Sequence, residues 1–354
     1  MVRSIEHCSI LDHRSRNGSH AMDGTLNTIT VVDGFVPVID LSARNIQTRR
    51  RALAHAIGGA CETSGFFVIV GHGIPRELVK SMETTTNAFF RLPDRDKDRV
   101  ATRPGVSGFR RFSGSTAQTL GNTAPPDLCE GFSTHTTGEL GDAERAELGN
   151  YWASWKLANI WPAAPVGFKQ VWQDYTAAMT ELSRDLVRLF AMALDLEESF
   201  FDDKFDRHVS SLTANYYYPQ HEPPLPGQMR RGAHTDFGAL TVLYTEHDRS
   251  GLQVRTKDLQ WVDVPAVRDS FVINIGDLMA LWTGGRWKST MHQVVNPQRE
   301  CTSSRLSIPF FFQPNHDAVV EPMGPGTNVG DETSTVVAGE WISAKMQMLF
   351  TSAS

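Results

Sequence analysis

Two histidines and one aspartate in this chain could hold a metal ion. His234 and Asp236 are separated by one residue, and His292 follows farther along the chain. In a β-strand, residues two apart point to the same face, so His234 and Asp236 can reach one ion, and His292 would come from another strand. Two imidazoles and one carboxylate on one side of a metal leave adjacent coordination positions open, which suits Fe(II) that binds O2 and a second ligand. These residues therefore predict oxidative chemistry.

An arginine begins a hydrophobic run farther along the chain. The run from Arg305 to Phe312 is otherwise largely apolar and predicts a buried strand with Arg305 and Ser307 on one face. An unpaired buried guanidinium is costly, so a partner is expected. A bound carboxylate would be held bidentately by the planar guanidinium, with the Ser307 hydroxyl as an added donor. The alternative at this point is an internal salt bridge to an Asp or Glu.

Hydrophobic periodicity predicts the elements that position these residues. Helices are predicted over 48–63, 76–91 and 167–194, where apolar residues recur at helical spacing. Phe66–Val70 is predicted to be an early strand, and short strands with turn signals follow residue 210, at 240–244, 251–254, 261–264, 270–275 and 305–312. Because the long helices precede most of the strands, the pattern favours an antiparallel barrel backed by helices.

Composition narrows the class of protein. The chain has 354 residues, 40% of them hydrophobic and 21% charged, which is enough to bury a large core. A net charge of −6 argues against broad binding to nucleic acid or anionic membranes. No apolar run is long enough to span a membrane, and the first residues lack a hydrophobic signal core, so a soluble cytoplasmic protein is expected. The four cysteines show no metal-binding spacing and are predicted to be free thiols: Cys8, Cys61, Cys129 and Cys301.

The segment 94–150 shows little periodicity and is rich in Gly, Thr and Pro. It is interpreted as a surface loop or as part of a substrate lid, because long ordered loops are commonly functional. Four of its residues are candidates for substrate contact, the alternative being a solvated loop: Phe109, Arg110, Arg111 and Phe132. Three aromatic residues later in the chain either shape a pocket or pack in the core: Trp282, Trp287 and Phe311.

An ordered set of motifs between about residues 35 and 320 carries a resemblance to a known family. The motifs are VPVIDL (36–41), GFFVIVGHGIP (65–75), FRLP (90–93), DLCEGF (127–132), NIWP (159–162), NYYYP (215–219) and NIGDL (274–278). Together with the His-x-Asp pair and Arg305, they resemble the 2-oxoglutarate and Fe(II)-dependent dioxygenases. The resemblance is to the branch that is similar to isopenicillin N synthase and to plant flavonoid and hormone oxygenases.

The resemblance implies roles for the residues singled out above. His234, Asp236 and His292 match the family's iron ligands. Arg305 and Ser307 match the pair that binds the distal carboxylate of 2-oxoglutarate. The implied cofactors are therefore Fe(II), 2-oxoglutarate as cosubstrate, and O2.

One motif departs from the family's pattern. The family often has NYYP, whose Asn and second Tyr help to bind the cosubstrate, but this chain has an additional tyrosine in NYYYP. Counting forward from Asn215 selects Tyr217, whereas counting back from Pro219 selects Tyr218. We favour Asn215 and Tyr217. The alternative is that these tyrosines are ordinary strand residues that pack on an aromatic face.

The resemblance also implies a fold class and a reaction. The expected fold is α+β, with a double-stranded β-helix (jelly-roll) core backed by helices and an N-terminal α/β region. The expected divisions are a flexible extension over 1–34, an N-terminal dioxygenase region over 35–165, and a long helix with the jelly roll over 166–354. The implied reaction couples conversion of 2-oxoglutarate to succinate and CO2 to hydroxylation, desaturation or cyclisation of a small metabolite.

Several alternatives stay open at this level. An iron oxidase that does not use 2-oxoglutarate, as in isopenicillin N synthase, would keep the same fold and ligands. A variant that fragments 2-oxoglutarate to ethylene is a second alternative. The same ligands could hold zinc for hydrolysis, or the domain could be an inactive binding module. The sequence specifies neither the substrate nor the oligomeric state.

Overall fold

The structure, a computed structural model, describes residues 30–111, 125–141, 143–144, 158–246, 251–297, 303–323 and 335–351. Its strands follow one another as short segments along most of the chain. In order they are β1 (Val31–Val32), β2 (Val38–Asp40), β3 (Phe66–Val70), β4 (Val106–Ser107), β5 (Phe109–Arg110), β6 (Glu130–His135), β7 (Ala158–Asn159), β8 (Ser211–Tyr217), β9 (Arg231–His234), β10 (Leu240–Thr245), β11 (Leu252–Arg255), β12 (Trp261–Asp263), β13 (Phe271–Ile275), β14 (His292–Val294), β15 (Arg305–Phe312), β16 (Val319–Val320) and β17 (Val336–Val337).

Two sheets form the core of the fold. The larger has nine strands in the order β1-β2-β3-β13-β10-β15-β8-β6-β5, and the smaller has the order β12-β11-β14-β9. Apolar side chains of both sheets pack in one buried cluster, which includes Phe66 and Val272 from the larger sheet and Val254 and Val294 from the smaller. Two sheets that enclose a common core in this way form the predicted jelly roll. The predicted strands after residue 210 are confirmed.

Six α-helices accompany the sheets within the described residues, and the three longest pack on the outer face of the larger sheet. The six are α1 (Gln47–Thr63), α2 (Arg76–Phe90), α3 (Asp94–Asp98), α4 (Phe168–Ala193), α5 (Asp277–Trp282) and α6 (Ala338–Thr351). The three predicted helices are confirmed as α1, α2 and α4, with bounds that differ by one residue. Along α4, Trp172, Met179 and Leu186 are fully buried in the same cluster as Val242 and Ile273 of the sheet. Of the helices that the structure describes, none combines the length and apolar character needed to cross a membrane.

The segment 94–150 differs from the expectation of a surface loop or lid. Its described part contains α3 and β6, and β6 lies within the larger sheet between β8 and β5 with all six residues buried. The strand escaped prediction because its buried residues include polar ones. Glu130 accepts hydrogen bonds from Lys97 Nζ at 2.7 Å and from the Tyr218 hydroxyl at 2.5 Å. Residues 112–124, 142 and 145–157 lie outside the described residues.

The first half of the chain contributes directly to the larger sheet. β2 and β3 pair in parallel, and β3 pairs with β13 of the second half in antiparallel register. Strands from both sides of residue 165 therefore belong to one sheet, and the division at that residue stays a prediction. Of the expected extension over 1–34, residues 1–29 lie outside the described residues, and Val31–Val32 form β1, which pairs with β2.

The two cysteines within the described residues are free and buried, as predicted. Cys61 lies in α1, and Cys129 lies immediately before β6. Burial raises the pKa of both thiols above the ordinary value. Because a thiol with a raised pKa stays protonated, neither residue is an activated nucleophile. Cys8 and Cys301 lie outside the described residues.

Two histidines, the buried His135 and the half-buried His208, couple the stability of the fold to pH. Burial lowers the pKa of His208 to about 4, with a smaller contribution from the Arg184 charge. Burial, with the Arg110 charge, also lowers the pKa of His135 to about 4. Because the folded-state values lie below the ordinary value of 6.5, the unfolded chain binds these protons more readily. Stability is therefore full above about pH 6.5 and is lost as the pH falls towards 4.

Replacing His208 with Gln should remove part of this pH dependence. We expect the free energy of unfolding to fall less steeply between pH 6.5 and 4 in His208→Gln than in the parent, by roughly 1–3 kcal/mol over that interval. Urea unfolding at several pH values measures the slope. His55→Gln, on the exposed face of α1, is the matched control and should follow the parent. An identical slope in His208→Gln and the parent would contradict the assignment.

Candidate functional site

The predicted metal ligands meet at one end of the smaller sheet. His234, the last residue of β9, lies opposite His292, the first residue of β14, and Asp236 follows two residues after His234. Asp236 Oδ1 lies 3.9 Å from His234 Nε2 and 3.7 Å from His292 Nε2. One donor atom from each of the three residues lies within 4.8 Å of the others. With ligand–metal distances of roughly 2.0–2.2 Å, three such atoms can surround one ion.

Hydrogen bonds orient each of these side chains towards a common point. His234 Nδ1 lies 2.8 Å from the Gly232 carbonyl oxygen, and His292 Nδ1 lies 3.1 Å from that of Thr290. A ring nitrogen that donates to a carbonyl leaves the other nitrogen, Nε2, with a free lone pair. The outer oxygen of Asp236 is also held, and its two donors come from the larger sheet: Thr241 Oγ1 at 2.6 Å and Asn274 Nδ2 at 2.7 Å.

Electrostatics favour the protonation states that a metal requires. Burial, followed by the neighbouring His292, lowers the pKa of His234 to about 3, so its imidazole is neutral at ordinary pH. Burial alone would raise the pKa of Asp236, but the two histidines and the hydrogen bonds from Thr241 and Asn274 hold it below its usual value. A neutral imidazole and an ionised carboxylate are the forms in which these side chains bind metals. The donor set therefore fits a divalent cation such as Fe(II).

A small pocket of about 50 Å³ lies against the metal ligands. Its lining includes His234, Asp236 and His292 together with Asn215, Tyr217 and Ser307. The last three come from adjacent strands of the larger sheet, where β8 and β15 pair in antiparallel register. Three of the four predicted cosubstrate residues therefore share one pocket with the predicted metal ligands, and the fourth, Arg305, is not part of its lining.

Arg305 lies at the same strand pair. It is fully buried and pairs across the strands with Tyr217, just as Ser307 pairs with Asn215. Its guanidinium lies 5.1 Å from the centre of the Tyr217 ring and donates a hydrogen bond to Thr245 Oγ1 at 2.8 Å. Burial lowers the pKa of Arg305, while Tyr217 and, more weakly, Glu246 raise it. The predicted strand with Arg305 and Ser307 on one face is confirmed.

The two candidate tyrosines of the NYYYP motif point in opposite directions. Tyr217 lines the small pocket, and burial raises the pKa of its hydroxyl while a hydrogen bond with Ser307 opposes that rise. Tyr218 faces the other way, where its hydroxyl bonds to Glu130 at 2.5 Å and Lys97 at 2.8 Å. Alternation along β8 therefore brings Tyr217, together with Asn215, next to Ser307.

A larger cavity of about 580 Å³ opens beside the metal ligands. Its volume is in the range of pockets that bind small molecules. The polar part of its lining comes from the strands at the β5 edge of the larger sheet and includes Arg110, Ser133, His135, Ser211, Thr213 and Asn215. The apolar part includes Val209, Phe237, Phe311, Ile342 and Met346.

The predicted substrate-contact residues of 94–150 occupy three different environments. Arg110 lines the larger cavity. Phe109 and Phe132 are buried in the aromatic core, so the prediction that they contact the substrate was wrong. Arg111 forms exposed ion pairs with two aspartates of α3 and does not line the cavity. An alternating strand explains the difference, because Phe109 and Arg110 are adjacent in β5 and face opposite sides.

The three aromatic candidates later in the chain also occupy different environments. Phe311 lines both the pocket and the cavity, whereas Trp282 and Trp287 are buried in the core behind the sheet. Sequence reasoning missed the contribution of α6, which adds Ile342 and Met346 to the cavity. The helix is largely apolar, and nothing in its composition indicated where it would pack.

Three polar residues at the site also escaped prediction. Thr241 and Asn274 hold Asp236, and Arg231 lines both the pocket and the cavity. Thr241 and Asn274 each interrupt an apolar strand, and a polar residue in a buried strand is a usable signal. Arg231 precedes His234 by three residues. Its Nη1 donates to Asn215 Oδ1 at 3.3 Å, and its Nε lies 4.0 Å from the buried Asp127 carboxylate.

Comparisons with protein families match both halves of the chain. Residues 36–164 match the family described as "non-haem dioxygenase in morphine synthesis N-terminal". Residues 209–314 match the 2OG-Fe(II) oxygenase superfamily. The second match contains the three candidate metal ligands as well as Arg305 and Ser307.

Individual relatives agree with the family matches. Validamycin A dioxygenase of Streptomyces hygroscopicus subsp. limoneus is 34% identical over 329 residues, covering 89% of this chain and 87% of the relative. A homoarginine-6-hydroxylase of Arabidopsis thaliana is 29% identical over 337 residues, covering 89% of this chain and 97% of the relative. The crystal structure of Neurospora crassa T7H with alpha-KG and thymine has a TM-score of 0.76 at 26% identity, covering 92% of this chain and all of that one. The chain belongs to the 2-oxoglutarate and Fe(II)-dependent dioxygenases, and it is an oxidoreductase that uses Fe(II), 2-oxoglutarate and O2 to oxidise a small molecule.

Proposed function

We propose that this enzyme hydroxylates a C–H bond of a small molecule bound in the 580 Å³ cavity. The observation that carries the proposal is the position of this cavity, whose lining includes His234 and Asp236. A molecule held there has its reacting carbon beside the metal ligands, and the surrounding walls limit its orientation. Desaturation and ring closure begin with removal of the same hydrogen and are the variants of this proposal.

We assign His234, Asp236 and His292 as the iron ligands. The close approach of their donor atoms and the hydrogen bonds that orient them support the assignment. Bound there, Fe(II) supplies the activation of O2 that is coupled to decarboxylation of 2-oxoglutarate. The three side chains would hold the ion from one side, which would leave coordination positions for the cosubstrate and O2.

We assign Arg305, Ser307, Asn215 and Tyr217 as the residues that bind 2-oxoglutarate. A buried guanidinium is suited to the distal carboxylate, and the Ser307 hydroxyl provides a neighbouring donor. Asn215 and Tyr217 lie opposite these two residues on β8. Asn215, Tyr217 and Ser307 share a pocket with the metal ligands, which supports a single cosubstrate that contacts these residues and the metal.

The names of the relatives favour hydroxylation over the variants. The Arabidopsis relative is a homoarginine-6-hydroxylase, and the Neurospora protein was crystallised with thymine. Homoarginine, thymine and validamycin A differ in charge and shape, so similarity alone does not transfer a substrate to this chain. The substrate is therefore inferred from the residues that line the cavity.

We also propose a cytoplasmic location and no nucleic-acid or membrane partner. The buried free thiols of Cys61 and Cys129 support a reducing compartment, and the net charge of −6 disfavours polyanionic partners. Cell fractionation tests the location. Recovery in an oxidising compartment would contradict it.

Loss of the Asn274 amide should weaken metal binding, because that amide holds the outer oxygen of Asp236. In Asn274→Leu we expect the Fe(II) dissociation constant to rise about 10–100-fold in an anaerobic titration. Thr241→Ser keeps its hydroxyl and serves as the matched control with near-parent affinity. His234→Ala should bind almost no iron. Parent-like affinity in Asn274→Leu would show that Asp236 needs no such support.

Succinate release tests the proposed use of 2-oxoglutarate. With Fe(II), we expect Arg305→Leu to raise the KM for 2-oxoglutarate by at least about 10–100-fold while iron content stays at the parent level. Tyr217→Phe should raise this KM by roughly 2–10-fold, and the matched variant Tyr218→Phe should not change it. An unchanged KM in Arg305→Leu would remove its assigned role.

The same assay separates the remaining alternatives. Ethylene in the headspace would indicate the variant that fragments 2-oxoglutarate. Substrate oxidation without succinate would indicate an oxidase that does not use 2-oxoglutarate. Turnover that persists with zinc in place of iron would indicate hydrolysis.

A further inference from the structure

The larger cavity contains a cationic side chain that the proposed chemistry does not use. Arg110 lies in β5, which pairs with β6, and β6 in turn pairs with β8. Arg110 Nη2 donates to Ser133 Oγ at 2.9 Å, and Ser133 Oγ lies 2.9 Å from Thr213 Oγ1. All three residues line the cavity. The guanidinium is therefore held by the Ser133 hydroxyl, which Thr213 in turn positions, and neither bond neutralises its charge.

The surroundings of Arg110 do not balance its charge. Its Nε is buried and has no hydrogen-bond partner, and among the described residues no carboxylate oxygen lies within ion-pair distance of it. Burial, followed by the like charge of Arg231, lowers the pKa of Arg110 to about 10, so it remains charged at neutral pH. A charged group in such a place is costly unless a counter-ion arrives.

Arg231 differs from Arg110 although both line the cavity. The Asp127 carboxylate lies 4.0 Å from Arg231 Nε, and Asn215 accepts a hydrogen bond from Arg231 Nη1. Asp127 is itself buried and accepts a hydrogen bond from the Gly232 amide. Arg231 thus has a counter-ion within the protein. Arg103, the other arginine of the described lining, is exposed to solvent, which leaves Arg110 as the enclosed cation without a carboxylate partner.

His135, also in the lining, does not compete for an anion. Burial and the Arg110 charge lower the pKa of His135 to about 4, so the imidazole is neutral at ordinary pH. Ser133, Thr213 and Ser211 add hydroxyl groups to the same wall. This wall combines one cation with neutral donors, which is the composition expected of a site for a small anionic group.

We propose that the substrate carries a carboxylate and that Arg110 binds it, so that the C–H bond to be oxidised is directed towards the metal ligands. This inference rests on the proposed function. The wall formed by β5, β6 and β8 carries one cation, which matches a singly charged carboxylate better than a doubly charged phosphate. The planar guanidinium also matches the planar carboxylate. Arg110 is thus a specificity-determining residue in the oxidation of an organic acid.

Thermal unfolding with matched ligand pairs tests this inference without knowledge of the natural substrate. The probes are aliphatic and aromatic monocarboxylic acids of graded size, each compared with its primary amide, added to the protein loaded with Zn(II) and 2-oxoglutarate. We expect at least one acid to raise the Tm, with an apparent Kd roughly 10–100-fold below that of its amide. Arg110→Gln should abolish the preference for the acid, and Arg110→Lys should retain part of it.

Arg111→Gln is the matched control, because Arg111 is adjacent in sequence but lies outside the cavity. It should keep the preference of the parent. Equal responses to acids and amides across the panel, no response to any acid, or acid-selective stabilisation that persists in Arg110→Gln would each overturn the inference. Stronger stabilisation by alkyl phosphates than by the matched acids would also overturn it. If 2-oxoglutarate still raises the Tm of Arg110→Gln, the cosubstrate site is intact. A failure of the carboxylate inference can then be told apart from a failure of the proposed function.

Discussion

The site depends on one carboxylate that is held from both sheets. Asp236 leaves the smaller sheet directly after β9, but its outer oxygen is bonded by Thr241 and Asn274 of the larger sheet. Its inner oxygen faces the two histidines of the smaller sheet. Because a metal requires all three donors at fixed distances, the separation of the sheets and the apolar packing between them set the geometry of the site. The helices behind the larger sheet contribute to this geometry by packing against its outer face.

Three guanidinium groups surround this centre, those of the buried Arg305 and the half-buried Arg231 and Arg110. Arg305 lies on the strand pair that carries the proposed cosubstrate residues, Arg231 is matched by Asp127, and Arg110 stands in the wall of the larger cavity. Each is held by neighbouring hydroxyl or amide groups that fix its direction. Cations placed in this way discriminate among ligands by charge and shape, since a ligand without the matching anion leaves a buried charge unpaired. The same principle accounts for the cosubstrate site and for the proposed substrate site.

Much of this arrangement could be predicted from the chain. Period-two alternation placed Arg305 and Ser307 on one face of a strand, and the His-x-Asp spacing with His292 identified the donor set. The buried strand β6 could not be predicted, because Glu130 and its polar neighbours obscure the apolar pattern. Likewise, the choice between Tyr217 and Tyr218 depends on which residue of β8 faces the pocket, and an added tyrosine in the motif leaves that register undetermined until the strand pairing is known.

An anaerobic absorption titration tests the central claim most directly. A 2-oxo acid that chelates Fe(II) gives a charge-transfer band in the visible range, and neither component alone gives it. We predict that the band saturates at one Fe(II) and one 2-oxoglutarate per chain and is absent from His234→Ala, in which the metal ligand is lost. Stoichiometric iron binding without this band, or an undiminished band in His234→Ala, would contradict the account.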